Sequence, residues 1–331
     1  MHKDSEKSQE DVFASIDLGT NNCRLMIAKP AGNGFTIIDS FSRITRLGEG
    51  MVSDNRLSEK AIERTLEVLQ KCALKIQKHG VSKSRYIATE ACRRATNGED
   101  FIKRVQREVG LDFEIISPAE ESKLSISGCI PLVRANVKNL LVFDIGGGSS
   151  EVSISKITPE GNIILEGTTS IPMGVLTVSE GFTGNDISGR ARDTITTKVN
   201  SALQLFDEEY NISNRLAEGN VQMIGTSGTV TSLGAFHLNL IRYNRSAVDG
   251  LVMTYKEVED AKNKLEKMTN LERIAHPCIG PQRADLTLAG CAILQAIYEY
   301  WKLDEITVAD RGLREGILVD LMRKNKGKNK E

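Results

Sequence analysis

The chain has 331 residues, 40% hydrophobic and 26% charged, with a formal net charge of -1. That composition describes a soluble globular protein of about two domains at roughly 150 residues each, and its charge balance excludes a globally basic nucleic-acid binder while leaving a local basic patch open. No apolar stretch approaches the roughly 20 residues of a membrane span, the first eleven residues lack an apolar signal core, and the six cysteines and four histidines are scattered without C-x-x-C or zinc spacing, which points to reduced thiols, a cytoplasmic location and no histidine-based metal site.

In chain order, residues 13–17, 24–28 and 35–44 read as three strands with short connections, an antiparallel meander. A helix is expected over 59–78. Ser58 is its N-cap, Leu57 staples onto Ile62, and Gly80 ends it; the apolar stripe is Ile62, Leu66, Leu69, Ala73 and Ile76. Strand 85–89, helix 100–109, strand 113–116 and helix 118–129 follow. The order β-β-β-α-β-α-β-α describes one α/β lobe. A second lobe restarts at Asn139 with strands 140–145, 151–157 and 163–171. Helices fill most of the remainder, interrupted by strands 221–224 and 306–309. The domains are read as 12–134 and 135–310, with the boundary within 131–138. A final helix at about 311–323 returns to the first lobe, and 1–11 and 324–331 are flexible tails.

Two stretches say nearly the same thing. Ala14-Ser-Ile-Asp-Leu-Gly-Thr-Asn-Asn22 and Leu141-Val-Phe-Asp-Ile-Gly-Gly-Gly-Ser-Ser-Glu151 are each an apolar run, an Asp, an aliphatic residue, a Gly and a small polar cluster leading into a second strand. Small turn residues let backbone N–H groups close on an anion. The Asp at the strand end is placed to hold a hard cation through oxygen. A third glycine turn, Gly225-Thr-Ser-Gly-Thr229, sits between a strand and a helix, as an anion nest at a helix N-terminus does. None of these is a P-loop, so the cradle must work through amides, hydroxyls and a metal.

These three strings, with Gly312-Leu-Arg-Glu-Gly316 after them, resemble the exopolyphosphatase / guanosine pentaphosphate phosphatase (Ppx/GppA) family over about residues 12–322. Arg93, in Ala88-Thr-Glu-Ala-Cys-Arg93, and Arg283-Ala-Asp285 also fall where that family has such residues. The resemblance implies the α/β fold of actin, Hsp70 and the sugar kinases: two ribonuclease H-like lobes around a central cleft, here in the short two-domain form.

Ser117-Pro-Ala-Glu-Glu121 reads as a capping box, with Glu120 reaching back to the N-cap amide and Glu121 left free. The family puts its catalytic Glu at that second acid, and the helix N-terminus is expected to keep Glu121 ionised as a general base. Residues 71–107 hold ten basic residues against three acidic ones. Most read as solvated helix face, but Arg93 and Arg94 follow a strand end facing the cleft, and this segment is expected to start a short basic track for a polyphosphate chain.

The expected activity is hydrolysis of terminal phosphoanhydride bonds in polyphosphate or guanosine pentaphosphate. Asp144 and Glu151 would hold a divalent cation, Mg²⁺, with Asp17 close by. Gly19, Thr20, Asn21, Gly146, Gly147, Gly148, Ser149, Gly225, Ser227 and Gly228 would line the phosphates. Arg93 would neutralise the terminal phosphoryl group and Glu121 would activate water. A kinase or ATPase of the same superfamily and a non-catalytic guanosine tetra- or pentaphosphate sensor remain open alternatives, as do substrate preference and a homodimer; no membrane or specific nucleic-acid partner is expected.

Overall fold

The computed structural model describes residues 11–32, 34–181, 187, 189–302 and 304–328. The first half builds strands β1 (Phe13–Leu18), β2 (Asn22–Ala31), β3 (Gly34–Ile44), β4 (Lys83–Ala88) and β5 (Phe113–Ile115). Its helices are α1 (Met51–Asp54), α2 (Glu59–Lys78), α3 (Glu90–Arg94), α4 (Gly98–Val109) and α5 (Pro118–Cys129). The second half builds β6 (Asn139–Ile145), β7 (Ser150–Ile157), β8 (Ile163–Ile171), β9 (Val221–Thr226), β10 (Val252–Thr254) and β11 (Glu305–Ala309). Its helices are α6 (Val175–Gly181), α7 (Arg190–Tyr210), α8 (Ile212–Ala217), α9 (Gly228–His237), α10 (Arg245–Val248), α11 (Tyr255–Lys267), α12 (Asn270–Ala275), α13 (Thr287–Trp301) and α14 (Leu313–Lys328).

The strands form two sheets in the orders β3-β2-β1-β4-β5 and β10-β11-β9-β6-β7-β8. In each, the opening strand pairs antiparallel with the next and parallel with the strand after the first crossover: β1 with β2 and β4, β6 with β7 and β9. The same 3-2-1-4-5 order thus occurs twice, the ribonuclease H-like duplication that the actin-type resemblance implies. β1 is buried along its whole length, as a strand flanked by crossover helices must be. The added edge strand β10 is three residues long, too short for an alternating pattern to announce it.

Local signals set the helix ends. Ser58 accepts a hydrogen bond from the Ala61 N–H, and Leu57 and Ile62 are buried in one core with the inner face of α2. The last helix extends beyond the expected end at 323. α14 runs to Lys328, and Asn325 donates to Asp11, which also accepts from Ser82. Residues 1–10 and 329–331 of the expected tails lie outside the described residues.

Two helices pack together at the junction of the lobes, α14 against the first sheet and α5 against both. Leu318 and Met322 of α14 pack on Phe13, Met26 and Ala28 of the first sheet. On α5, Leu124 joins Ile87, Ile116, Leu313 and Ile317, while Ile126 and Cys129 join Leu140, Val142, Ile224 and Ala309 of the second sheet. α5 and α14 cross at glycines. A Cβ on Gly128 would sit 2.0 Å from the Gly312 carbonyl oxygen, and one on Gly316 1.8 Å from that of Leu124. The backbones approach closely enough to seat the start of α5 between the sheets.

Candidate active site

The two Asp turns are the same turn. Gly19 N–H donates to the Asn22 carbonyl and Gly146 N–H to the Ser149 carbonyl, both at 2.9 Å. Asp17 lies opposite Arg24 across the first hairpin, and Asp144 lies opposite Glu151 across the second. The duplication therefore puts a guanidinium in one lobe where the other has a carboxylate, 3.7 Å from the Asp17 carboxylate.

The turns meet across the cleft. A Cβ on Gly147 would stand 2.8 Å from Asn21 Cβ and 2.9 Å from its backbone nitrogen; one on Gly148 would stand 2.7 Å from Thr20 Oγ1. Here glycine is required by close approach.

Between the lobes lies a cavity of about 640 Å³, within the range of small-molecule sites. Asp17, Gly19, Thr20, Asn21, Glu121, Asp144, Gly146, Gly147, Gly148, Ser149, Glu151, Ser227 and Gly228 all line it, so most of the site residues expected from sequence converge there. Two of their polar atoms, Asn21 Oδ1 and Ser227 Oγ, are buried without a hydrogen-bond partner. Ser227 also has φ of 93°, a conformation L side chains avoid and which clusters at ligand sites.

Two expected residues are placed otherwise. Gly225 faces the ring of Phe143, which would lie 2.4 Å from a Cβ there; its smallness serves packing inside the second sheet. Arg93 is absent from the cavity lining. Its Nη1 donates to the Ile116 carbonyl at 2.6 Å and to Glu121 at 3.2 Å, and its Nη2 to Glu90 at 2.8 Å.

The capping box is half made. Ser117 Oγ accepts the Glu120 N–H, but the Glu120 carboxylate pairs with Arg85 of β4 at 2.5 Å instead of the N-cap amide. Glu121 does face the cavity. Its ionisation is set by more than the helix N-terminus: burial, then Glu151, with Asp144 and Asp17 adding, push its carboxyl well above the ordinary range against the opposing Arg93. Burial likewise raises Asp17. It raises Asp144 to about 6, helped by Asp17 and opposed by Arg24. Glu151 is raised to about 7, again by burial first, although Ser149 and Ser170 donate to it at 2.5 and 2.9 Å.

These acids are a hard, all-oxygen donor set whose mutual repulsion a cation would relieve. Among the described residues no three His, Cys, Asp or Glu side chains gather closely enough to hold a metal ion by themselves. Mg²⁺ commonly takes one or two carboxylates and completes its shell with water and substrate phosphate, so the residues fit that ion in the company of a ligand.

The cations at the cavity are Arg24, Arg245, Arg283, Arg311 and Arg314; Arg245 and Arg314 pair with Glu315, and Arg311 with Asp249. Arg283 is held below its ordinary basicity by burial and by the neighbouring Arg24, so guanidinium groups from the two lobes converge. Sequence reasoning missed Arg24, although its register opposite Asp17 repeats that of Glu151 opposite Asp144. It quoted Arg283 without giving it a role. None of the ten basic residues expected to start a track in segment 71–107 lines the cavity, and seven of them are in ion pairs: Lys75 with Asp39, Lys83 with Asp11, Arg85 with Glu114, Glu120 and Asp320, Arg93 with Glu90 and Glu121, Arg94 with Glu90, Arg104 with Glu59 and Glu108, and Arg107 with Glu108.

The sequence profile of the Ppx/GppA phosphatase family matches residues 26–325. The crystal structure of the Aquifex aeolicus member of that family superposes with a TM-score of 0.76 at 30% identity, covering 95% of this chain and 98% of that one. An exopolyphosphatase-like protein superposes with a TM-score of 0.83 at 28% identity, covering 95% and 99%. A bifunctional 3-dehydroquinate synthase/phosphatase of Fusobacterium nucleatum is 30% identical over 315 residues, 93% of this chain and 46% of that protein. The chain therefore spans about half the length of that relative.

Proposed function

The chain belongs to the Ppx/GppA phosphatase family, and from that premise we propose that it hydrolyses the terminal phosphoanhydride bond of polyphosphate or guanosine pentaphosphate, releasing orthophosphate to water. What carries the reading is one cavity in which four carboxylates, the buried Asp17 and Glu151 and the half-buried Glu121 and Asp144, meet glycine turns from both lobes. Carboxylates alone would repel a phosphate chain. Arg24 and Arg283 supply the opposing charge, as guanidinium forks suited to phosphate oxygens. The turns at Gly19, Gly146 and Gly228 offer amide donors, and the orphaned Ser227 hydroxyl would donate to the same ligand. Glu121, from the first turn of α5, orients and deprotonates the attacking water.

A divalent cation at Asp144 and Glu151, with Asp17 near, would neutralise phosphoryl oxygens and offset the repulsion among the acids. The cavity lining also includes the apolar Leu265, Ile279 and Leu286, surface that would suit the nucleoside of guanosine pentaphosphate. The described cysteines are all free and buried, which supports a reducing, cytoplasmic location.

The test is release of orthophosphate from tripolyphosphate and from guanosine pentaphosphate, with and without Mg²⁺ and with no acceptor added. Turnover without acceptor separates a hydrolase from a kinase. Binding of either compound with no release, or release only when an acceptor is present, would refute the proposal. Arg24→Ala and Arg283→Ala should raise KM and each reduce the logarithmic salt dependence of affinity by about one, the slope one lost phosphate contact gives in other polyanion complexes.

A further inference from the structure

We infer that Glu90, to which nothing above gives a part in the reaction, is a positioning residue: it holds the Arg93 fork against Glu121, so that Arg93 acts through the general base and not on the phosphate. This inference rests on the proposed hydrolysis for its catalytic consequence.

The three side chains make a continuous unit. Glu90 Oε2 accepts from Arg93 Nη2 at 2.8 Å, and Glu121 Oε2 accepts from Nη1 at 3.2 Å. All three are largely buried, with side-chain exposures of 12%, 19% and 12% for Glu90, Arg93 and Glu121. Nη1 also donates to the carbonyl of Ile116 at 2.6 Å. Ile116 precedes Ser117, the N-cap of α5. The same guanidinium therefore grips both the entry to α5 and the carboxylate one turn along it.

Glu90 is itself held. It lines the cavity, and its Cγ lies 3.1 Å from where a Cβ on Gly148 would stand, so the second lobe's turn closes over it. Arg94 faces its other oxygen at 3.7 Å. Glu90 and Glu121 line the cavity and Arg93 does not, so the two carboxylates stand between the cavity and the Nη1 and Nη2 groups they hold, and breaking a buried pair leaves a carboxylate uncompensated. The arrangement suits a guanidinium that stays where it is. A general base must sit within hydrogen-bond reach of its water, and a misplacement of about 1 Å can lower a rate by about 10².

The experiment has two arms. In the first, Glu90→Gln, nearly isosteric but unable to hold the fork by charge, should lower kcat about 10-fold while KM for tripolyphosphate stays within about twofold. Glu90→Asp should recover part of the loss, and Glu90→Gln should have little further effect in an Arg93→Ala background. Unchanged kcat, a lower KM, or additive effects in the double variant would overturn the inference. In the second arm, calorimetric binding of tripolyphosphate to Arg93→Ala should match the wild type within about twofold at two salt concentrations. A loss beyond tenfold, with a shallower salt dependence, would mean that Arg93 touches phosphate. This arm decides even if the wild type releases no orthophosphate, an outcome that would sink the proposed hydrolysis instead. Wild-type turnover with full kcat in Glu90→Gln would sink the inference alone.

Discussion

Asp144→Asn separates the electrostatic cost of the site from its use. Burial and Asp17 raise the Asp144 carboxyl from its ordinary 3.8 to about 6. At about 1.4 kcal/mol for each pH unit, the ionised form is destabilised by about 3 kcal/mol in the folded chain. Asn keeps the shape and removes the charge. Some of the gain is lost because an amide fits poorly among acceptors, so a net stabilisation of about 1–2 kcal/mol is expected for the metal-free protein at pH 7.5. For a chain of this size that is a rise of about 2–5 °C in Tm. The sign with pH follows. Between about pH 4 and 6 the folded wild type keeps this proton and the unfolded chain has lost it, so this group's contribution to stability falls as pH rises through that window and is flat above it. Asp144→Asn should remove that slope. Adding Mg²⁺ together with orthophosphate should raise the Tm of the wild type, since a ligand of the folded state stabilises by mass action, and should leave Asp144→Asn nearly unmoved and nearly inactive. Thermal unfolding at pH 5 and 7.5, with and without Mg²⁺ and orthophosphate, reads all of this. A lower Tm for the variant without metal, or an undiminished Mg²⁺ shift, would refute the argument.

Two further outcomes follow from the same geometry. Glu121→Gln should keep substrate affinity and lower turnover by about 10²–10⁴, whereas Glu120→Gln, which loosens the Arg85 pair, should cost some stability only; steady-state kinetics and Tm of the two variants would expose a reversed assignment. Gly147→Ala forces its methyl into Asn21 and should cost about 1–3 kcal/mol by overpacking while prying the turns apart; unchanged denaturation and full activity would show that the turns do not touch in the working protein.

Several elements were legible in sequence because their causes are local. Ser58 and Ser117 cap helices through amides three residues on, and α2, α5 and β8 have the bounds that their patterns and caps announce. Each Asp-x-Gly turn closes on its own fourth residue, which is why the duplication, the lobes and most of the expected site residues could be read from two strings of about ten residues. What the sequence left undetermined depends on distance through space. Glu120 meets Arg85, 35 residues away, in preference to its own helix amide, because β4 brings a guanidinium alongside. Glu121 owes its raised carboxyl to burial and to Glu151, Asp144 and Asp17, which arrive on β7, β6 and β1. Arg93 meets Glu90 at the helical i,i+3 spacing, but its second partner, Glu121, lies 28 residues on, and Gly225 is taken up by a ring it packs against; neither of these last two contacts leaves a periodic mark. Hydrogen bonds within a turn and side-chain periodicity depend on neighbours in the chain, whereas desolvation and Coulomb energy depend on which elements the fold brings together. The sequence by itself therefore determined where the site's parts lie along the chain, and the tertiary structure decided their charge states and partners.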